Sequence, residues 1–211
     1  MLQYDQSSAS APRNGTTVAV LLHGRGSHRG DLQALRPLLP EEWALVTPQG
    51  PHLGHPWGYG PGWAWYKYVE EDRVVEETLL HSLTALDAFL IALPGFLGFE
   101  PGRIILGGFS QGGAVSMAFA CARPNLVTAA VNFSGFLAQS VEVPFSALSP
   151  GTPPIFWGHG SRDPNIPHAL AARGRERLNA AGILLQSKDY DIGHWIVPEE
   201  VRDAVAFVES V

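Results

Sequence analysis

Short continuous apolar runs alternate along this chain with longer stretches whose apolar residues recur every three or four positions. Residues 16–22, which include Val18-Ala19-Val20-Leu21-Leu22, form an unbroken run rich in β-formers. Such a run reads as a strand buried on both faces. Residues 43–47, 103–109, 127–133, 154–158 and 183–190 read as further strands. Between them, residues 31–39 suggest a short helix and residues 69–93 a long one. The long one carries Leu79, Leu80, Leu83, Leu86, Phe89 and Leu90 at helical spacing, acids early, and Pro94-Gly95 to close it. Residues 111–122 form the next helix, with Pro124 just past its end. Residues 167–181 form another, with Pro167 early and Gly182 behind it, and residues 198–209 the last. Strands alternating with helices imply an α/β domain whose mostly parallel central sheet has helices on both faces. Ligands of such sheets sit at the carboxyl ends of the strands, so residues falling there carry the chemistry.

Two stretches lie outside the alternation. Residues 48–63 are dense in Gly, Pro, His and aromatic side chains and read as a long irregular loop, a kind usually functional or mobile. Residues 1–14 are polar and rich in Ser and Ala, without the basic-then-apolar order of a signal peptide. They read as a flexible tail ahead of one domain spanning residues 15–211.

Composition narrows the classes. With 45% hydrophobic and 16% charged residues the chain is globular, and 211 residues suffice to fold without disulfide or metal. A net charge of −6 with no basic stripe argues against nucleic acid and against an anionic membrane surface. No apolar run reaches the roughly 18 residues of a membrane span, so stable membrane insertion is not expected. The lone cysteine, Cys121, sits among Ala118, Ala120 and Ala122 and reads as a packed helix residue. These features together suggest a cytoplasmic protein. His52 and His55 are too few to hold a metal, and none is expected.

Gly108-Phe109-Ser110-Gln111-Gly112 matches Gly-x-Ser-x-Gly and lies between a strand and a helix of small residues. A sharp turn there presents the serine hydroxyl above the sheet as a nucleophile. The bland alternative is a glycine-rich helix start with Ser110 as its cap. A serine nucleophile needs a base, and the base an orienting acid. Three histidines follow in the chain. His159 directly follows a strand in Gly158-His159-Gly160, His168 opens a helix, and His194 follows the final strand in Gly193-His194-Trp195. Gly193 permits the turn that would aim the His194 ring back over the sheet, which makes His194 the expected base. Asp163, Asp189 and Asp191 are the candidate acids. Asp163 comes from a different strand than His194 and can meet the ring from the side. Asp189 and Asp191 lie so close to His194 along the chain that the backbone would have to double back for either to reach its ring, and they read rather as surface or turn residues. For the oxyanion, the backbone N–H of Gln111 and of Arg25, in His23-Gly24-Arg25-Gly26, are the expected donors. A dinucleotide reading of Gly24-x-Gly26 fails because the third glycine, Gly30, falls one place late and no acid ends the next strand.

These motifs resemble the carboxylesterase/phospholipase family of small α/β-hydrolases, which includes the acyl-protein thioesterases. Leu21-Leu22-His23-Gly24-x-Gly26, the run from Gly108 to Gly113, Asp163-x-x-Ile166-Pro167 and Gly193-His194 carry the resemblance. Trp65-Tyr66 and Ser134-Gly135-Phe136-Leu137 also fall at similar elements. The resemblance implies the α/β-hydrolase fold and hydrolysis of esters, lysophospholipids or acyl thioesters without a cofactor. It implies Ser110, Asp163 and His194 as the triad, with Arg25 and Gln111 supplying the oxyanion donors. Arg25 departs from the family, which usually has an apolar residue there.

The aromatic cluster Trp57, Tyr59, Trp63, Trp65 and Tyr66, with Phe136 and Leu137, reads either as an apolar substrate pocket or as cover for the core. The expected activity is a serine carboxylesterase acting on small or medium acyl chains. An acyl-protein thioesterase or lysophospholipase is the alternative with the same chemistry. A non-catalytic binding protein on this scaffold is the alternative of another class. The partner is a small-molecule ester or thioester, and a homodimer is compatible with the sequence.

Overall fold

A computed structural model of the chain describes residues 1–138 and 151–211. In chain order its elements are β1 (Tyr4–Ser7), β2 (Thr17–Leu22), a 3₁₀ helix (Asp31–Leu38), β3 (Ala44–Pro48), β4 (His52–Leu53), a 3₁₀ turn (His55–Trp57), β5 (Trp63–Ala64), β6 (Tyr68–Glu70) and β7 (Arg73–Val74). Then come α1 (Glu76–Leu97), β8 (Arg103–Phe109), α2 (Gln111–Ala122), β9 (Ala129–Phe133), β10 (Ile155–Gly160), α3 (His168–Ala180), β11 (Leu185–Tyr190) and α4 (Pro198–Ser210).

Seven strands form the central sheet in the order β1-β3-β2-β8-β9-β10-β11. All neighbours are parallel except β1, which pairs antiparallel with β3, Tyr4 opposite Pro48. The β2–β8 register puts Leu22 beside Gly108, so the first glycine-rich turn and the serine turn leave the sheet side by side.

The period-two rule of a strand decides which helices each face receives. Val18, Val20 and Leu22 of β2 join Leu106 and Trp157 on one face, where α1, α2 and α3 pack. Ala19 and Leu21 join Ile105, Val131 and Phe156 on the other, covered by the first 3₁₀ helix through Leu32 and by α4 through Val201, Ala204 and Phe207. Both faces of the inner strands are buried, which is why they read as apolar runs rather than alternating ones, whereas the edge strand β11 is mostly exposed. Cys121 is buried in the first cluster, and burial pushes its thiol up to about 12.

Three readings of the sequence are corrected. Residues 1–14 are not a loose tail: Leu2 and Ala9 are buried, and the Tyr4 ring meets Phe89 at 5.5 Å and Phe96 at 5.4 Å. A four-residue strand flanked by single apolar anchors lacks the periodicity that would reveal it. The long helix starts at Glu76 rather than 69, because Tyr68–Glu70 and Arg73–Val74 form a hairpin turned at Glu71 with φ 48°. It also runs past Pro94 and ends at Gly98 in the left-handed region, φ 74°. Finally, this helix is long and apolar enough by composition to cross a bilayer, which the search for one unbroken run misses. Leu79, Leu86, Phe89, Leu90 and Leu93 on it are buried against the sheet, each worth roughly 1.5–3 kcal/mol of apolar burial.

Glu200, on the first turn of α4, is fully buried against Gly158 of β10, and neither carboxylate oxygen has a hydrogen-bond partner of good geometry. Burial, reinforced by nearby Asp203, raises its carboxyl to about 8. The folded protein therefore holds this proton while the unfolded chain releases it near pH 4.5, so stability falls as pH rises from about 4.5 to 8. Glu200→Gln removes that slope. Thermal melts of the two proteins should diverge in the variant's favour by on the order of 3 kcal/mol between about pH 5 and pH 8. For a chain of this size that is roughly 2–4 °C per kcal/mol. A constant offset across that range would contradict the buried-acid account.

Candidate active site

Ser110 sits between β8 and α2 with φ 54° and ψ −113°, a strained backbone for a side-chain-bearing residue. Its N–H donates to the Phe133 carbonyl at 2.8 Å, and its own carbonyl accepts from Ala114 at 3.0 Å, so the turn is held at both ends. The close passage of β2 demands glycine at 112, where a Cβ would lie 2.1 Å from the Leu22 carbonyl oxygen. The pentapeptide is thus a packing requirement, and the serine hydroxyl is what the packing leaves on top.

His194 comes from the loop between β11 and α4. Its Nε2 lies 2.9 Å from Ser110 Oγ and its Nδ1 lies 2.6 Å from Asp163 Oδ2. The ring packs at a tilt against Phe109, the residue just before the serine, with centroids 4.7 Å apart. Asp163 follows β10, and its side chain is fully buried. Burial alone would raise its pKa. The hydrogen bond to His194 and those from the backbone N–H groups of Ile166 (2.9 Å) and Asn165 (2.8 Å) outweigh burial and hold it below the usual carboxylate range. Asp163 is therefore ionised at neutral pH, which fixes the His194 proton on Nδ1 and leaves Nε2 free to accept from Ser110.

The competing residues are engaged elsewhere. His159 lies inside β10, not after it. It is fully buried and lowered in pKa by that burial, with Nε2 2.9 Å from the Ile166 carbonyl. His168 pairs with Asp189 at 2.7 Å, and Asp189 also accepts from Arg175 at 2.7 Å. Asp191 is bound by Arg162.

The glycine-rich turn after β2 is fixed by His23. This ring is buried and lowered to about 4, mainly by desolvation, so it is neutral. Nδ1 donates to the Gly24 carbonyl at 2.7 Å, while Nε2 accepts the Gly50 N–H at 2.9 Å. Holding the Gly24 carbonyl fixes the plane of the Gly24–Arg25 peptide and hence the direction of the Arg25 N–H. No hydrogen bond among the described residues uses the backbone N–H of Arg25 or Gln111, and both residues line the cleft with Ser110. The Gln111 side chain points elsewhere. It accepts the Trp65 N–H at 2.8 Å and donates to the Tyr66 carbonyl at 2.7 Å.

The cleft above Ser110 has a volume of about 530 Å³. Of the seven residues read as a possible substrate pocket, only Tyr66 and Phe136 line it. Trp63 instead bridges to Ser27, Trp65 is fully buried with its indole N–H on the His23 carbonyl, and Leu137 packs towards Gly174 of α3. Sequence reasoning missed Tyr68, Asp31, Asn165 and Ile166 on the wall. Tyr68, between the aromatic run and the stretch 69–93 read as helix, belonged to no motif; Ile166 stood in the acid motif. The 48–63 loop is clamped to the glycine-rich turn, with Gly26 N–H on the Trp63 carbonyl at 2.8 Å and Trp63 N–H on Ser27 at 2.7 Å. Gly26, at φ 76°, admits the Tyr59 carbonyl where a Cβ would come within 2.2 Å.

Fold and site geometry together define an α/β-hydrolase. The chain belongs to the phospholipase/carboxylesterase family, whose model matches residues 6–211. The acyl-protein thioesterase 1 of Saccharomyces cerevisiae is 26% identical over 210 residues, 90% of this chain and 91% of that protein. The protein of the same name from Cryptococcus neoformans is 29% identical over 182 residues, 77% of this chain and 73% of that one. Among solved structures, esterase PE8 superposes with TM-score 0.80 at 26% identity, covering all of this chain and 99% of that one. A carboxylesterase from Mesorhizobium loti superposes with TM-score 0.84 at 17% identity, over 100% and 95% of the two chains, a likeness of fold. The protein is a hydrolase of the esterase and thioesterase type.

Proposed function

We propose that the protein is a serine carboxylesterase that cleaves small to medium acyl esters through an acyl-enzyme on Ser110. The observation that carries the reading is the unbroken line of contacts from Ser110 Oγ through His194 to Asp163. His194 Nε2 takes the serine proton as Oγ attacks the carbonyl carbon, and the buried Asp163 carboxylate stabilises the imidazolium that forms. The carbonyl oxygen gains negative charge facing the Arg25 and Gln111 N–H groups, each such donor worth roughly a hundredfold to a thousandfold in rate. Collapse of the tetrahedral adduct expels the alcohol, which takes the proton from Nε2. Water then repeats the sequence on the acyl-serine. A cleft of about 530 Å³ falls in the range of small-molecule sites.

A thioesterase reading uses the same steps with a thiolate leaving group, and the names of the yeast relatives favour it. Turnover of p-nitrophenyl esters of increasing chain length, compared with acylated-cysteine peptides and lysophospholipids, separates the two. Stoichiometric labelling of Ser110 by a fluorophosphonate is expected in either case. A silent probe with a folded protein would instead support a binding protein on this scaffold.

A further inference from the structure

We propose that Arg25 holds an anionic group of the substrate, so that esters carrying one negative charge near the scissile bond are hydrolysed in preference to neutral ones. The inference rests on the esterase reading and names its substrate class. Arg25 is exposed and lines the same cleft as Ser110 and His194. Its guanidinium lies over the Tyr59 ring, 4.9 Å from the centroid, on the loop clamped beneath it. A ring face positions the cation without using its in-plane N–H donors. Arg29, Arg123, Arg162 and Arg175 are each paired with an aspartate, whereas Arg25 has no carboxylate within ion-pair distance among the described residues. Tyr66 and Tyr68 stand on the same cleft wall. Burial raises the pKa of both and the Arg25 charge opposes that rise, while at Tyr68 the carboxylates of Glu71, Asp72 and Glu70 add to it. A fixed cation, two phenols and no protein counter-charge on the guanidinium suit a planar carboxylate, which Arg can grip through two N–H groups.

The cleft also sets a limit on charge. Asp31 lines it and is held by the Ser27 hydroxyl at 2.6 Å. A second negative charge on the ligand would meet this carboxylate, so a monoanion fits better than the dianion of a phosphate monoester. The carboxylate of a dicarboxylic acid half-ester is the chemistry this arrangement takes.

The test compares kcat/KM for three p-nitrophenyl esters of matched chain length: the adipate half-ester, its methyl-capped neutral form, and an analogue ending in a phosphate monoester. The wild type should favour the carboxylate over the neutral ester roughly tenfold, mainly through KM, because the contact is uniform between ground and transition states. The preference should shrink towards one at about 1 M salt. Arg25→Met should bring the ratio near one, and Asp31→Asn should raise the ratio for the phosphate analogue most. Parity between carboxylate and neutral ester in the wild type, or an unchanged ratio in Arg25→Met, overturns the subsite while leaving Ser110 chemistry intact. Failure of all three esters would sink the esterase reading instead. Calorimetric binding of adipate monoamide then still decides the subsite, since it should weaken in Arg25→Met, and equal binding overturns it.

Discussion

Ser110→Ala is expected to lower kcat on p-nitrophenyl esters by roughly a millionfold, leaving only what the oxyanion donors and binding supply. The side chain is the atom that would become acylated, and no other hydroxyl stands within reach of His194 Nε2 in the hydrogen bonds described. The fold should not notice. The turn is held by the Ser110 N–H and carbonyl, through Phe133 and Ala114, and both survive the substitution. Alanine bears the same φ of 54° that serine does. Loss of turnover should therefore come with an unchanged melting temperature and with loss of fluorophosphonate labelling. Retained turnover in a pure preparation of the variant would exclude Ser110 as the nucleophile.

Asp163→Asn should cost roughly ten-thousandfold in kcat with little change in stability. The asparagine carbonyl can still accept the N–H groups of Asn165 and Ile166 at the position of Oδ1, so the turn keeps its shape. What changes is the other end of the side chain. An amide NH₂ facing His194 Nδ1 obliges that nitrogen to accept, which moves the ring proton to Nε2. Nε2 then faces the Ser110 hydroxyl as a donor and cannot take its proton. The measurement is kcat alongside thermal melts, and it discriminates between roles. Equal losses in activity and stability would make Asp163 a structural turn residue. An unaffected kcat would return Asp189 and Asp191 to consideration, although both are already engaged, by Arg175 and His168 and by Arg162.

The legible parts of the site share a cause. The serine turn, the acid turn and the histidine turn each need residue types that leave a mark in a short window, and the structure brings Ser110, Asp163 and His194 together. Glycine at 112 is required by a backbone 2.1 Å away, and that requirement shows in the sequence as a motif. The cleft wall was not legible, because an aromatic side chain satisfies core and pocket alike. Trp65 and Tyr66 are neighbours of similar chemistry and both are fully buried, yet only Tyr66 lines the cleft. The Gln111 side chain fixes the backbone of both, through two hydrogen bonds reaching some 45 residues along the chain. Tyr68 was hidden for another reason: the Tyr68–Glu70 and Arg73–Val74 hairpin is too short to announce itself beside a strong helix.

What the sequence determined by itself is whatever depends on neighbours in the chain: the buried strands, the helices that alternate with them, and three turns rich in glycine or aspartate. Tertiary structure decided what depends on distant backbone. It paired Tyr4–Ser7 with Ala44–Pro48, enclosed His159 while leaving His194 at the surface of the cleft, and set Arg25 on the ring of Tyr59. The physical reason is range. Propensity and periodicity act over a few residues, whereas burial, hydrogen-bond satisfaction and charge pairing are settled only when the whole sheet has assembled.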